Sequence, residues 1–419
     1  MPDTPEPAPA PPAAISRRRL LGTAGATGAA GLAAGATGGT LFGTAHAGSG
    51  TTPLTSVGST AHPFHGPHQA GITSPLQAHG HLIAYDLDPG TDRRAAAALL
   101  RRWSATAAAL MAGRGEEADG THMSLDAGPC ALTLTFGFGA ALFDTLGLTD
   151  QRPTALAPLP EFSNDALDRS RSDGELFVQI GADDALVALA ALRAVRRAAL
   201  GTATPRWQMT GFNRTPGATA HPMSQRNLMG QIDGTNNPLP GDDDFDRRIF
   251  VPADGDPPWM AGGSYAVVRR IRMLLDTWED LPVADQERVI GRRKADGAPL
   301  GGDTETTPVD LTALDDAGNP VIPVNAHVRV SSPETNDGAA MLRRPFSYQD
   351  GLLPDGAPDA GLLFICWQAD PLRGFVPVQR KLDRGDALSP FLRHEASGLF
   401  AVPGGAAEGE YVGQALFEG

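Results

Sequence analysis

The sequence predicts an α+β fold made of two ferredoxin-like halves, each a βαββαβ unit carrying an antiparallel sheet, and three observations lead to it. One strand–helix–strand–strand–helix–strand order can be traced twice along the chain. Apolar residues form 41% of the 419 and aromatics only 6%, with 50 Gly and 36 Pro among them, so the elements are short and joined by many turns. The length exceeds that of one small domain and supports a core without disulfide staples.

The first unit opens with a strand at His81–Leu87. A helix follows, capped by Thr91 or Asp92 and running to Arg114, with Leu99, Leu100, Trp103 and Leu110 among its apolar positions. Between Ala131 and Phe138, Leu132, Leu134 and Phe136 alternate with Thr133 and Thr135, the period of a strand. Leu176–Ile180 is the third strand. Asp183 is placed to cap an Ala/Leu-rich helix ending near Leu200 and Gly201, and Trp207–Phe212 closes the unit. The second unit reads as a strand at Tyr265–Met273, a helix over 276–293, an edge strand at Phe346–Gln349 and a buried strand at Leu362–Gln368. A helix over 372–393 and a closing strand at Leu399–Val402 complete it. About fifty residues separate its first helix from its second strand, and a loop that long in a compact domain is more often functional than idle. The expected organisation is therefore 1–47 as a leader, 48–78 as a Gly/Pro/Thr/His-rich lead-in, 79–225 as the N-terminal half and 226–419 as the C-terminal half.

The leader is read from three features in order. Ser16-Arg17-Arg18-Arg19-Leu20-Leu21 is a twin-arginine pattern, Gly22–Phe42 is a mildly apolar Ala/Gly-rich stretch, and Ala45-His46-Ala47 is a small-x-small cleavage pattern. The apolar stretch is too interrupted by Gly and Thr for a comfortable membrane span. The expectation is export by the twin-arginine machinery to an extracellular, cell-envelope or periplasmic location, with no stable membrane insertion after cleavage. That route generally carries proteins that fold before export, often around a cofactor. Acidic residues outnumber basic ones by 48 to 34, and no Lys/Arg cluster alternates with aromatics beyond the leader, which argues against nucleic acid as a partner. Cys366 lies in the apolar run Leu362–Trp367 and, with Cys130 the sole other cysteine, reads as a buried thiol.

Three constellations could carry chemistry. Gly230-Gln231-Ile232-Asp233-Gly234-Thr235-Asn236-Asn237-Pro238 lies between the two units, and its glycines allow tight turns that present Asp233 to a cavity at the domain junction. By composition alone it is a turn. Asn325-Ala326-His327-Val328-Arg329 sits in the long insertion, where an isolated His is ordinarily a surface or core residue. Met341-Leu342-Arg343-Arg344-Pro345-Phe346 places two arginines before a strand, ordinarily solvated charge. A fourth feature, His62-x-x-His65-x-x-His68, has spacing that could hold copper or iron, but no Cys or carboxylate completes a ligand set nearby.

Taken together and in this order, the three constellations resemble the dye-decolorizing peroxidase family. Its marker is Gly-x-x-Asp-Gly, matched by Gly230–Gly234, followed about a hundred residues on by a haem-ligating His and then a distal Arg. Pro63–Ile72, Phe136–Gly139, Trp259–Tyr265, Gly361–Cys366 and Gly374–Gln379 extend the likeness over nearly the whole chain after the leader. Gln231-Ile232 stand where the marker often has an aromatic or Lys. The resemblance implies one haem b per chain in the C-terminal half, with His327 as the iron ligand and hydrogen peroxide and a small aromatic electron donor as substrates. It implies Asp233 as the acid–base group and Arg343 as the cation that activates peroxide, with Arg344 as the fallback. Gly234, Thr235 and Arg329 are the further cofactor-binding candidates, Arg329 through a haem propionate or else as a plain surface residue. An Asp in the acid–base role, with its low intrinsic pKa, favours acidic pH. Tyr85, Tyr265, Tyr348, Tyr411 and the five Trp are candidate relays of oxidising equivalents. Two rival readings stand beside this one: a haem-handling or iron-acquisition (deferrochelatase-like) protein, and a non-haem module holding metal at the His-rich segment.

Overall fold

The computed structural model describes residues 54–115, 122–125, 127–218 and 224–419. The expected leader at 1–47 lies outside the described residues. The N-terminal half supplies β1 (His79–Leu87), α1 (Arg93–Met111), β2 (Thr133–Gly139), β3 (Leu176–Ala182), α2 (Ala185–Ala199) and β4 (Ala203–Phe212). The C-terminal half supplies β5 (Ser264–Met273), α3 (Val283–Ile290), α4 (His327–Val330), β6 (Phe346–Leu352), β7 (Pro358–Gln368), α5 (Phe375–Gly385) and β8 (Leu392–Val402).

Both helices of the first half begin where an Asp can satisfy free N–H groups. Asp92 accepts from Ala95 N at 2.7 Å, and Asp184 accepts from Leu186 N and Val187 N at 2.9 Å. Asp184 replaces Asp183 as the expected cap, because the Asp183 carboxylate instead accepts from Ala78 N at 3.1 Å and ties the lead-in to the sheet. In the second half the helix expected over 276–293 is two pieces, Leu275–Glu279 and α3, interrupted at Pro282, which has no N–H to continue the ladder. The helix expected over 372–393 ends at Gly385, and β8 already begins at Leu392.

Each half has the strand order of a ferredoxin-like sheet, β4-β1-β3-β2 in the first and β8-β5-β7-β6 in the second, antiparallel throughout. The two sheets are more than packed: their edges pair. β8 meets β2 at Phe400↔Gly139 and Ala401↔Phe138, and β4 meets β6 at Phe212↔Ser347, so eight strands close into a barrel. Phe346–Gln349, expected as an edge, is thus a seam, and closure removes open strand edges. Gly80 and Gly211 make room there, since a Cβ on either would stand 2.6 or 2.5 Å from Phe346.

Strand alternation divides the side chains between two layers. Leu82, Ala84, Phe177, Trp207, Met209, Val268, Tyr348, Ile365, Trp367 and Phe400 fill the barrel interior. Ile83, Tyr85, Leu134, Phe136, Val178 and Ile180 point outward beneath α1 and α2, packing with Leu99, Leu100, Trp103 and Leu192. On the second half the corresponding outer face is covered less closely, because its first helix is broken and short. That gap becomes the site. Cys130 and Cys366 are both buried free thiols. No helix of the described residues is long and apolar enough to cross a membrane.

Candidate active site

Asp233 is positioned by a two-residue antiparallel ladder that pairs Gln225 with Asp233 and Arg226 with Ile232. The turn between them needs Gly230 at φ +77°, and Gly234, directly after the acid, lies at φ +98°. Both values are in the left-handed region, where any L side chain is strained. Arg226 clamps the turn, donating from Nη1 to Gly230 O at 2.8 Å and to Lys294 O at 2.6 Å.

Arg343 belongs to a two-residue strand, Leu342–Arg343, on the edge of β7, where it pairs with Cys366. Its Nη1 donates to Asp233 Oδ1 at 3.1 Å, an ion pair that is only partly exposed. Asn237 grips the same arginine three ways. Its Oδ1 accepts from Arg343 N at 3.1 Å and Nε at 3.2 Å, and its Nδ2 donates to Arg343 O at 2.8 Å. Acid, cation and clamp therefore form one unit before any ligand arrives.

His327 opens α4, and its Nδ1 lies 2.9 Å from Oδ2 of Asp386, whose side chain is only 2% exposed. Burial by itself would lower the His327 pKa, but the charge and hydrogen bond of Asp386 outweigh it and hold the imidazole above its ordinary value. With Nδ1 committed to a carboxylate, Nε2 is the ring nitrogen left for a ligand.

Asp233, Gly234, Thr235, His327 and Arg343 line one cavity of ≈ 1530 Å³, counting its open mouth. The outer sheet face contributes Ile271, Met273, Leu362, Phe364 and Leu392, and the α4–α5 side contributes Val328, Phe375, Val378 and Leu382. Every lining residue falls at Asn227 or beyond, so the cavity belongs to the C-terminal half and not to the domain junction expected from the sequence. Thr235 lines the cavity while its hydroxyl donates to Glu305 Oε1 at 2.9 Å.

Two other sequence candidates lie elsewhere. Arg329 is not among the lining residues; its Nη2 donates to Ile322 O at 2.8 Å and its Nε to Ile322 O and Pro323 O at 3.2 Å, so it braces the loop before α4 instead of meeting a propionate. Arg344 is buried on the opposite side, donating to Gly71 O, to Pro75 O at 2.7 Å and to Gln77 Oε1 at 3.1 Å, and burial lowers its pKa to about 10. It fastens the lead-in, and Arg343 alone of the pair faces the cavity. In the His-rich segment, His68 uses Nδ1 against Gly262 O at 2.6 Å and stacks on Phe250. Among the described residues no group of three or more His, Cys, Asp or Glu gathers to hold a metal ion.

Sequence reading missed two residues of this site. Asn237 was inside the marker segment, but nothing local shows that it grips a residue 106 positions on. Asp386 is 59 positions from His327 and has no motif around it.

Residues 69–213 match the family pattern described as Dyp-type peroxidase, N-terminal, and residues 224–407 match Dyp-type peroxidase, C-terminal. The chain belongs to the Dyp-type peroxidase family. Among its relatives, a dye-decolorizing peroxidase of Thermobifida fusca is 50% identical over 361 residues, covering 84% of each chain. A deferrochelatase of Yersinia pestis is 35% identical over 371 residues, covering 85% of each. The solved structure of an oxyferrous complex of DtpA from Streptomyces lividans is 67% identical and covers 88% of this chain and 100% of its own, with a TM-score of 0.86.

The donor set of this Dyp-type site fits a haem. The His327 imidazole, fixed by a buried carboxylate, suits an iron whose other ligands come from a porphyrin, and the apolar walls suit the macrocycle.

Proposed function

We propose that this chain is a haem peroxidase that uses hydrogen peroxide to oxidise small aromatic donors, phenolic or dye-like, one electron at a time. One observation carries the reading: the His327–Asp386 and Asp233–Arg343 pairs line the same cavity. A haem held through His327 Nε2 would supply the site where peroxide is reduced and the two electrons for that reduction.

The chain's own residues manage position and protons. Asp386 fixes the His327 tautomer and orients the ring. Asp233 takes the proton from the near oxygen of peroxide and returns it to the far oxygen, which departs as water when the O–O bond breaks. Arg343 stays cationic and offsets the negative charge that develops during cleavage, and its bond to Asp233 Oδ1 aims the carboxylate. The apolar walls limit the water that could compete for these groups.

The test is a pair of variants followed by absorption spectroscopy and stopped-flow mixing with peroxide. His327→Ala is expected to lose most haem. Asp233→Ala is expected to keep haem and to react with peroxide about 10²–10⁴-fold more slowly, the usual contribution of a positioned acid–base group. A wild-type rate in Asp233→Ala removes the proton-transfer role, and a colourless wild-type protein after expression with ample haem removes the whole reading. The haem-handling alternative predicts exchangeable haem and no dependence on Asp233. The deferrochelatase is also more distant from this chain, at 35% identity, than the dye-decolorizing peroxidase, at 50%.

Export by the twin-arginine route to an extracellular, cell-envelope or periplasmic location is part of the proposal. It is supported by Ser16–Leu21, the apolar stretch to Phe42 and Ala45–Ala47. Replacing Arg17, Arg18 and Arg19 by Lys is expected to leave the protein in the cytoplasm, as measured by fractionation; unchanged export would overturn it.

A further inference from the structure

Arg269 is one of the most deeply buried side chains, 1% exposed, yet it lines the cavity that holds His327. Its Nη2 donates to Asp165, while Nε and Nη1 have no hydrogen-bond partner among the described residues. The rings of Phe162 and Phe375 flank the guanidinium, 5.3 and 5.9 Å away, but take up none of its N–H groups. His394, 5% exposed, lines the same cavity, and its Nδ1 is also without a partner among the described residues. It is near enough for the Arg269 charge, after burial, to help lower its pKa to about 3. Idle donors on a buried cation are costly and rare, and here they mark a place where an anion belongs.

The other cavity cations are already engaged. Arg343 is held by Asp233 and Asn237, and Arg292 donates Nη1 to Gly297 O at 2.8 Å and Glu305 O at 2.9 Å. Arg329, a candidate for a propionate or for a plain surface role, is turned to backbone carbonyls. A haem brings two carboxylates into a cavity whose walls are otherwise largely apolar. We infer that Arg269, with His394 beside it, is the binding site for one haem carboxylate. The inference rests on the haem reading above and deepens it. Asp165 balances part of the guanidinium charge and holds it in place through Nη2, leaving Nε and Nη1 for the ligand.

The test is reconstitution of the full chain with haem and with haem dimethyl ester, whose carboxylates are capped. Wild type, Arg269→Gln and Asp165→Asn are compared by the rate of haem loss to excess apomyoglobin and by the propionate bending bands in resonance Raman spectra. Arg269→Gln is expected to lose haem about 10- to 100-fold faster, the scale of one buried charge-assisted hydrogen-bonding group. The extra rate of loss that the ester causes in wild type should shrink in this variant, and the propionate bands should move. Asp165→Asn keeps the guanidinium and should retain haem at least as well as wild type, with a full ester effect. An equal ester effect in wild type and Arg269→Gln, with unmoved propionate bands, overturns the inference. If Arg269→Gln does not fold, the wild type and Asp165→Asn decide: an ester effect absent from wild type or smaller in Asp165→Asn overturns it, and one at least as large in Asp165→Asn as in wild type supports it. Failure of every form to bind haem overturns the proposed function itself, not merely this subsite.

Discussion

Replacing Asn237 by Ala isolates what holds the peroxide-activating cation in place. The wild-type amide makes three hydrogen bonds to residue 343, two on its main chain and one on Nε, at 2.8–3.2 Å. Each contributes about 0.5–1.5 kcal/mol net, and partial access of water to the site replaces some of that, so a loss of about 2 kcal/mol is expected. If the loss falls on the step in which Arg343 meets developing charge, kcat/KM for peroxide drops about 30-fold. The assay is stopped-flow peroxide reaction beside steady-state donor oxidation, with haem content measured on the same samples. Asn237 is a positioning residue, so haem content and the KM for donor should stay near wild type while the peroxide step slows. Asn237→Asp should not restore the rate, because a carboxylate there opposes Arg343 O and draws the guanidinium away from Asp233. A peroxide kcat/KM within twofold of wild type in Asn237→Ala, with haem retained, would refute the clamp argument.

Two further outcomes follow from the buried groups. Asp386→Asn turns a charge-assisted bond to His327 Nδ1 into a neutral one, and haem retention should weaken by about 10- to 100-fold, read as faster transfer to apomyoglobin; unchanged retention would mean that the imidazole is held by packing alone. His394 has a folded-state pKa of about 3, lowered by burial and by Arg269, against about 6.5 when unfolded. The unfolded chain therefore binds the extra proton, and this residue removes stability as pH falls from about 6.5 towards 3, by about 3 kcal/mol at pH 4. Urea unfolding of the haem-free protein at pH 7 and pH 4 should show a shallower acid loss in His394→Gln than in wild type, and equal losses would contradict it.

Local pattern was sufficient for much of this protein. The alternation Leu132, Leu134, Phe136 assigns a strand and its faces without reference to anything distant, and the repeated element order foretold two ferredoxin-like sheets. Gly230 and Gly234 were legible because a left-handed backbone leaves its own mark on residue choice. Asp233, His327 and Arg343 were singled out by resemblance to a family pattern and not by local composition, and they line one cavity.

What the sequence could not decide were relations between residues far apart in the chain. Edge pairing at Phe400↔Gly139 and Phe212↔Ser347 closes the barrel, yet an edge strand and a seam strand read alike until a partner is present. Asp183 and Asp184 are equal as caps by type, and only the approach of Ala78 takes one of them away. Arg329, Arg343 and Arg344 are the same residue chemically. One braces a loop, one faces the cavity with Asp233 and one fastens the lead-in, because the strand and loop that carry them point three ways. Asp386 and Arg269 acquire meaning only through what folding sets beside them, an imidazole in one case and an apolar cavity in the other. Composition and period are properties of short segments, whereas charge pairing and burial depend on the packed whole.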